Sequence, residues 1–278
     1  MRDILLATDF SEAAEAAFEH ALALALSHGA DLTLLHAGPE SGSDVPWDSF
    51  PHVRETLARW GRRPEDGADG FRRAWGIGVS KRSVRTRHPV SGILETAEDL
   101  DPEVVVLARR ATQGWGRGSV SAETARRAAA PVLVVPEGAR GFVDPATGAV
   151  RIARVLAAVD RRPDPRPALS EARRLAHLGA PAAATPVEVE LLHVGDPADA
   201  PEISGALLPA ARLTRRSMPG EPADVIAARA EEIDADLVLL ACEGRRGLLD
   251  VLFGSTTEQV LARATRPVLA IPASAEAV

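Results

Sequence analysis

The chain repeats itself, and that repetition limits what it can fold into more than any other feature. Residues 4–8 (ILLAT) run into Asp9 as residues 154–159 (RVLAAV) run into Asp160. Leu34-Leu35-His36-Ala37 returns as Leu191-Leu192-His193-Val194. His88-Pro89 ahead of Ile93 returns as Glu221-Pro222 ahead of Ile226, and residues 105–108 return as 238–241. Residues 131–136 (PVLVVP) return as 267–272 (PVLAIP). Five blocks in one order identify an internal duplication of about 140 residues. The fold is one unit used twice.

Within the first unit, residues 4–8 and 32–36 are short apolar runs of the kind buried on both faces of a sheet. Between them Ala14, Phe18, Ala21, Leu22 and Ala25 keep helical spacing, with Ser11 as the expected N-cap and His28-Gly29 as the stop. Strand, helix and strand in quick succession imply a right-handed crossover and a parallel sheet. Further strands are predicted at 80–86, 104–107 and 132–135, and helices at 51–60 and 93–100. Residues 38–78 are otherwise irregular. In the second unit 24 residues of that region are missing, because the offset between repeats falls from 157 to 133. There Pro163, Pro165 and Pro167 are expected to stand ahead of the first helix. Residues 137–150 (EGARGFVDPATGAV) are rich in Gly and Pro and lack periodicity, so they read as the linker between domains at 1–137 and 151–278.

Composition excludes several classes. At 278 residues and 46% apolar, the chain has enough material for two cored domains. Net charge is −7, with 17 basic and 20 acidic residues in 1–140 (−3) and 15 and 19 in 141–278 (−4). Neither half has the basic bias of a nucleic-acid binder. The single cysteine, Cys242, excludes an internal disulfide and a Cys-rich metal site, and fits a reducing cytoplasm. No run reaches the ~18–20 apolar residues of a membrane span. Met1-Arg2-Asp3 leads straight into the first strand, so no signal peptide is expected.

The stretch richest in chemistry lies near the end. Two apolar runs, 237–241 and 268–271, flank a glycine loop and a helical segment predicted over 257–266 and closed by Pro267. The loop carries Gly244 and, after nine residues, Gly254-Ser255-Thr256. Such a loop can hold an anion. Its N–H groups are unpaired, glycine lets the backbone come close, and the helix start adds partial positive charge.

Ala241-x2-Gly244-x9-Gly254-Ser255 resembles the signature of the universal stress protein family, Gly-x2-Gly-x9-Gly-(Ser/Thr), with Ala241 in place of the first glycine. The resemblance covers nearly the whole chain as two tandem domains, least well over 38–78 and the linker. It implies an α/β fold of two Rossmann-like domains, each an open five-stranded parallel sheet of order 3-2-1-4-5 with helices on both faces. It implies an adenine nucleotide, ATP with Mg2+, as ligand of a stress-response sensor or regulator. Asp160 matches the family aspartate that contacts the adenosine portion, and Val194 the residue lining the adenine pocket. Ala241, Gly244, Gly254, Ser255 and Thr256 match the phosphate loop. Pairing through the last strands implies an internal pseudo-dimer, and leaves a homodimer of tandem chains open. In the first half the matching loop has alanine at both early glycines and a gap of six rather than nine before Gly118-Ser119. That half is expected to bind weakly or to be purely structural.

Each of these residues also has a plainer role. Asp160 can cap the following helix, Gly244 can serve a turn, and Ser255 can be an ordinary N-cap. His36 and His193 share one repeat position inside an apolar strand, which suits hydrogen-bonded core residues. Cys242 suits a small buried thiol. Arg161, Arg162, Arg245 and Arg246 either neutralise phosphate or are solvated surface charges. There is no Gly-x4-Gly-Lys-Ser/Thr, Gly-x-Gly-x-x-Gly, Gly-x-Ser-x-Gly or His-Glu-x-x-His, which points away from an efficient enzyme and leaves slow ATP hydrolysis open. A scaffold or small-molecule sensor acting through an unidentified protein partner is the other open reading. All four tryptophans fall in the first half, which points to extra packing there and room for a second pocket.

Overall fold

The computed structural model describes residues 3–40, 42–62, 68–110, 119–178, 186–204, 211–242 and 256–273. The apolar runs of the first half become β1 (Asp3–Ala7), β2 (Asp31–Gly38), β3 (Val79–Arg85), β4 (Val104–Arg109) and β5 (Val132–Pro136). Those of the second become β6 (Arg154–Ala158), β7 (Val187–Val194), β8 (Ala211–Met218), β9 (Leu237–Cys242) and β10 (Val268–Pro272). All ten lie in one sheet of order β3-β2-β1-β4-β5-β10-β9-β6-β7-β8. Each half therefore has the order 3-2-1-4-5 with parallel neighbours, and the halves meet where β5 and β10 pair antiparallel.

Strand burial follows from that order. β5 and β10 would be edges in isolated halves, but at the seam every residue of both is buried. Of the true edges, β3 (VSKRSVR) is mostly exposed and β8 (ARLTRRSM) half so, and both carry the charges that discourage further pairing. Alternate residues feed two cores. Ile4 and Leu6 face α1 (Ala13–His28), while Leu5 and Ala7 share a core with α4 (Pro89–Leu100). On the first face α6 (Arg166–Leu178) completes the cover; on the second, α5 (Val120–Arg127), α7 (Pro222–Glu232) and α8 (Thr256–Arg263) do. Both cores take residues from both halves. Among the described residues no helix is long and apolar enough to cross a membrane.

Local expectations are met with instructive exceptions. Gly29, at φ +63°, ends α1 and returns its N–H to Ala25, a left-handed cap that suits glycine. Ser11 does not cap α1, because its hydroxyl donates to Asp9 instead. The helix expected over 51–60 is α2 (Val53–Arg59), and a further helix, α3 (Ala68–Trp75), was not foreseen. Pro167 stands inside the first turn of α6 rather than ahead of it, where its missing N–H costs no helical bond.

The segment 137–150 is packed rather than slack. Phe142 and Val143 are 3% and 6% exposed, and Val143 bridges Val150. The Trp60 indole donates to the Pro145 carbonyl at 3.1 Å. A Cβ on Gly148 would lie 2.3 Å from the Trp60 ring, so this turn requires glycine. Phe142 meets His20 edge-on, with ring centroids 4.6 Å apart. His20 bonds the Ala16 carbonyl at 2.7 Å, and burial outweighs that bond to pull its pKa down to about 4. The unfolded imidazole protonates near 6.5, the folded one only near 4. Stability should thus be full above pH 6.5 and fall by on the order of 3 kcal/mol as the pH drops to 4. Denaturant unfolding across that range should show the slope, and His20→Gln should flatten it. An unchanged slope in the variant would assign the effect to another group.

Candidate functional site

In an open parallel sheet, ligands bind beyond the carboxyl ends of the strands, where the order reverses. In the second half that point is β6, with β7 on one side and β9 on the other. Ala158 is in register with Leu192 and with Leu240, so Asp160, Val194 and Cys242 each stand two residues past a common level. At the ~4.8 Å spacing of neighbouring strands, these three rim positions span only about 10 Å.

A cavity of about 260 Å³ opens there. Leu192, Ile226 and Leu240 give it an apolar floor, and Val194 and Ala241 line its wall. Asp160 and Arg162, both exposed, stand at the rim with Thr256 and Thr257 at the start of α8. The volume lies just under the roughly 300–1,000 Å³ of small-molecule sites. Two larger hollows lie beneath the 38–78 segment, away from these strand ends. Strand-end geometry, rather than size, marks the smaller cavity as the candidate site.

Of the seven residues singled out in the sequence, Asp160, Val194, Ala241 and Thr256 line this one cavity. Gly244, Gly254 and Ser255 lie outside the described residues, as do Arg245 and Arg246. The Asp160 carboxylate accepts the Arg161 N–H at 2.7 Å and does not cap α6, which begins at Arg166. Arg161 turns away to the Ala198 carbonyl. His36 and His193 are core residues, with Nδ1 bonded to the Thr8 and Val159 carbonyls at 3.1 and 3.3 Å. Cys242 is buried, lines the cavity and directs its thiol at the Ala125 carbonyl. Among the described residues no group of three or more His, Cys, Asp or Glu could hold a metal.

One lining residue had no signal in the sequence. Arg126 belongs to α5 of the first half, yet it reaches the rim and pairs with Glu258 of α8 at 3.2 Å. Only the seam brings it there.

The first half has a different arrangement at the matching strand ends. Asp9 accepts the Ser11 hydroxyl at 2.5 Å and the Ser11 N–H at 3.0 Å on one oxygen, and its other oxygen pairs with Arg110. Burial opposes ionisation of Asp9, but the Ser11 bonds and the Arg110 guanidinium outweigh it and hold the carboxyl below its usual range. Arg109, the counterpart of Cys242, crosses the seam to the Ala262 and Ala264 carbonyls at the end of α8. Ser119 caps α5 through the Ala122 N–H. This carboxylate is already occupied by its own chain. In Arg110→Ala the Asp9 pKa should rise toward its ordinary value, read by carboxyl-carbon NMR titration; an unmoved titration would show that the pair is not formed in solution.

Comparison with known proteins agrees with the fold. A family model described as "Universal stress protein family" matches residues 1–136 and 210–272. No curated protein matches the chain significantly. Among solved structures, a universal stress protein from Archaeoglobus fulgidus DSM 4304 aligns over 98% of each chain at 20% identity and a TM-score of 0.62. A Pseudomonas aeruginosa UCBPP-PA14 protein provisionally assigned to the same family aligns over 98% of this chain and 93% of its own, at 20% identity and a TM-score of 0.58.

Proposed function

Because this chain belongs to the universal stress protein family, we propose that its second half binds an adenine nucleotide, ATP with Mg2+, and that the protein acts as a stress-response sensor or regulator. The observation that carries this reading is that Asp160, Val194, Ala241 and Thr256 line one cavity at the strand-order reversal. The apolar floor suits a purine face, and the rim carboxylate of Asp160 can accept hydrogen bonds from ribose hydroxyls. The start of α8 and the loop bearing Gly244, Gly254 and Ser255 would face the phosphates. Arg162 and Arg126 add cationic groups at the rim. In the first half Arg110 already satisfies Asp9, which supports one site per chain rather than two.

Isothermal titration with ATP and magnesium, on protein freed of carried-over nucleotide, should give one site per chain. Asp160→Ala removes hydrogen bonds to a charged group, worth ~1.5–3 kcal/mol, and should weaken binding at least about tenfold. Gly254→Val should weaken it too, and Arg126→Ala should do so from across the seam, all with unchanged circular dichroism. Isotherms unaltered in both Asp160→Ala and Gly254→Val would remove this site. Two sites per chain would restore the first half as a binder. No binding at all would favour a scaffold that works through protein contacts.

A further inference from the structure

Trp47 and Phe50–Glu55 of the first half border, with β2 and β3, a hollow of about 610 Å³, well within the size of small-molecule sites. It lies over β2 and β3, apart from every residue of the nucleotide reading, and the second half is 24 residues too short in this region to match it. Its wall is fixed from behind. Phe10 meets Trp47 and Phe50 edge-on at 5.1 and 5.7 Å, and Phe50 in turn meets Phe18 at 5.3 Å. Three aromatic contacts leave the wall little freedom, so the hollow is preformed. Apolar surface also faces outward here: Val79, on the same wall, is the large hydrophobic side chain most exposed among the described residues, at 36%.

Charge then discriminates between ligands. Of the described residues around the cavity, Arg54, Arg72 and Lys81 are cationic and Glu55 is anionic. Arg72 is held by Asp31 at 2.7 Å. Lys81, the sole lysine of the chain, has no carboxylate within ion-pair distance among the described residues; its ammonium sits 5.2 Å from the centre of the Trp47 ring. A neighbouring cavity of about 490 Å³ shares Phe50, Pro51, His52 and Glu55 but has the opposite balance, with Glu12, Glu15, Asp48 and Glu55 against Arg59. With Arg72 already paired, the Lys81 ammonium is what the first hollow offers an anion, whereas carboxylates dominate the second and repel one.

We propose that the hollow between residues 47–55 and strands β2 and β3 is a second ligand site, specific for a small aromatic anion such as an aryl carboxylate or sulfonate. The ring would lie against Trp47 and Phe50, and the acid group would meet the Lys81 ammonium. This assignment is independent of the nucleotide reading.

The test uses the full chain and the fluorescent probe 8-anilino-1-naphthalenesulfonate. One site per chain is expected, with emission enhanced equally in the presence and absence of saturating ATP. Benzoate should displace the probe at least five times more effectively than its neutral isostere benzamide. Lys81→Met should abolish that preference while keeping the native circular dichroism, and Val79→Glu, which adds a carboxylate at an exposed edge position, should abolish probe binding. Absence of probe binding by the folded protein would overturn the proposal. So would displacement by ATP, equal competition by benzoate and benzamide, or unchanged affinity in both variants.

Discussion

Everything distinctive about this molecule depends on the antiparallel pairing of β5 with β10, Val134 against Val268 and Leu133 against Leu269. A five-stranded parallel sheet ends in an unpaired strand whose N–H and C=O groups need partners. Of the two edge strands in each half, one is apolar throughout, β5 or β10, and these two satisfy each other. The result is one ten-stranded sheet whose two cores draw on both halves. The same seam brings α5 beside α8, which carries Arg126 to the rim of the other half's cavity and Arg109 to the end of α8. Duplication here produces a joint structure in which one half completes the other.

The two halves solve the same strand-end geometry differently. In each, an aspartate follows the first strand at the reversal of strand order. Asp9 is held by Ser11 and Arg110, so its hydrogen-bonding capacity is used within the chain. Asp160 accepts one backbone N–H and stands beside an open cavity. A neighbouring arginine takes the carboxylate in the first half, whereas the exposed Asp160 of the second has no such side-chain partner among the described residues and faces the cavity. The half that has satisfied its own carboxylate is also the one with the longer 38–78 segment, which packs Trp47 and Phe50 against Phe10 and borders both hollows.

Much of the fold was legible because it is written in local pattern. Apolar runs bounded by breakers marked the strands, and the spacing of Ala14, Phe18 and Ala21 marked α1. Conformationally special residues such as Gly29 marked ends. Where local reading failed, a competing contact is visible. Ser11 looked like an N-cap, but its hydroxyl is taken by Asp9. The segment 137–150 read as the linker between domains because glycine and proline break periodicity; it does join the halves, but as a packed connection in which Phe142 and Val143 are buried and the Trp60 indole donates to the Pro145 carbonyl. Irregular backbone and loose packing are different properties, and only the first leaves a trace in composition.

The sequence by itself determined the repeated unit, its strands and the short list of residues at strand ends, since hydrophobic period and glycine spacing depend on neighbours a few positions apart. Strand order came with them only through resemblance to a family. Tertiary structure decided which of those residues share a space. Arg110 lies 101 positions from Asp9, and Arg126 reaches a cavity built from the other half of the chain. Such meetings are set by the crossing of β5 with β10 and by how loops cover the sheet, and no local periodicity encodes them. Chemistry was nameable residue by residue; the sites exist only where the folded sheet brings those residues together.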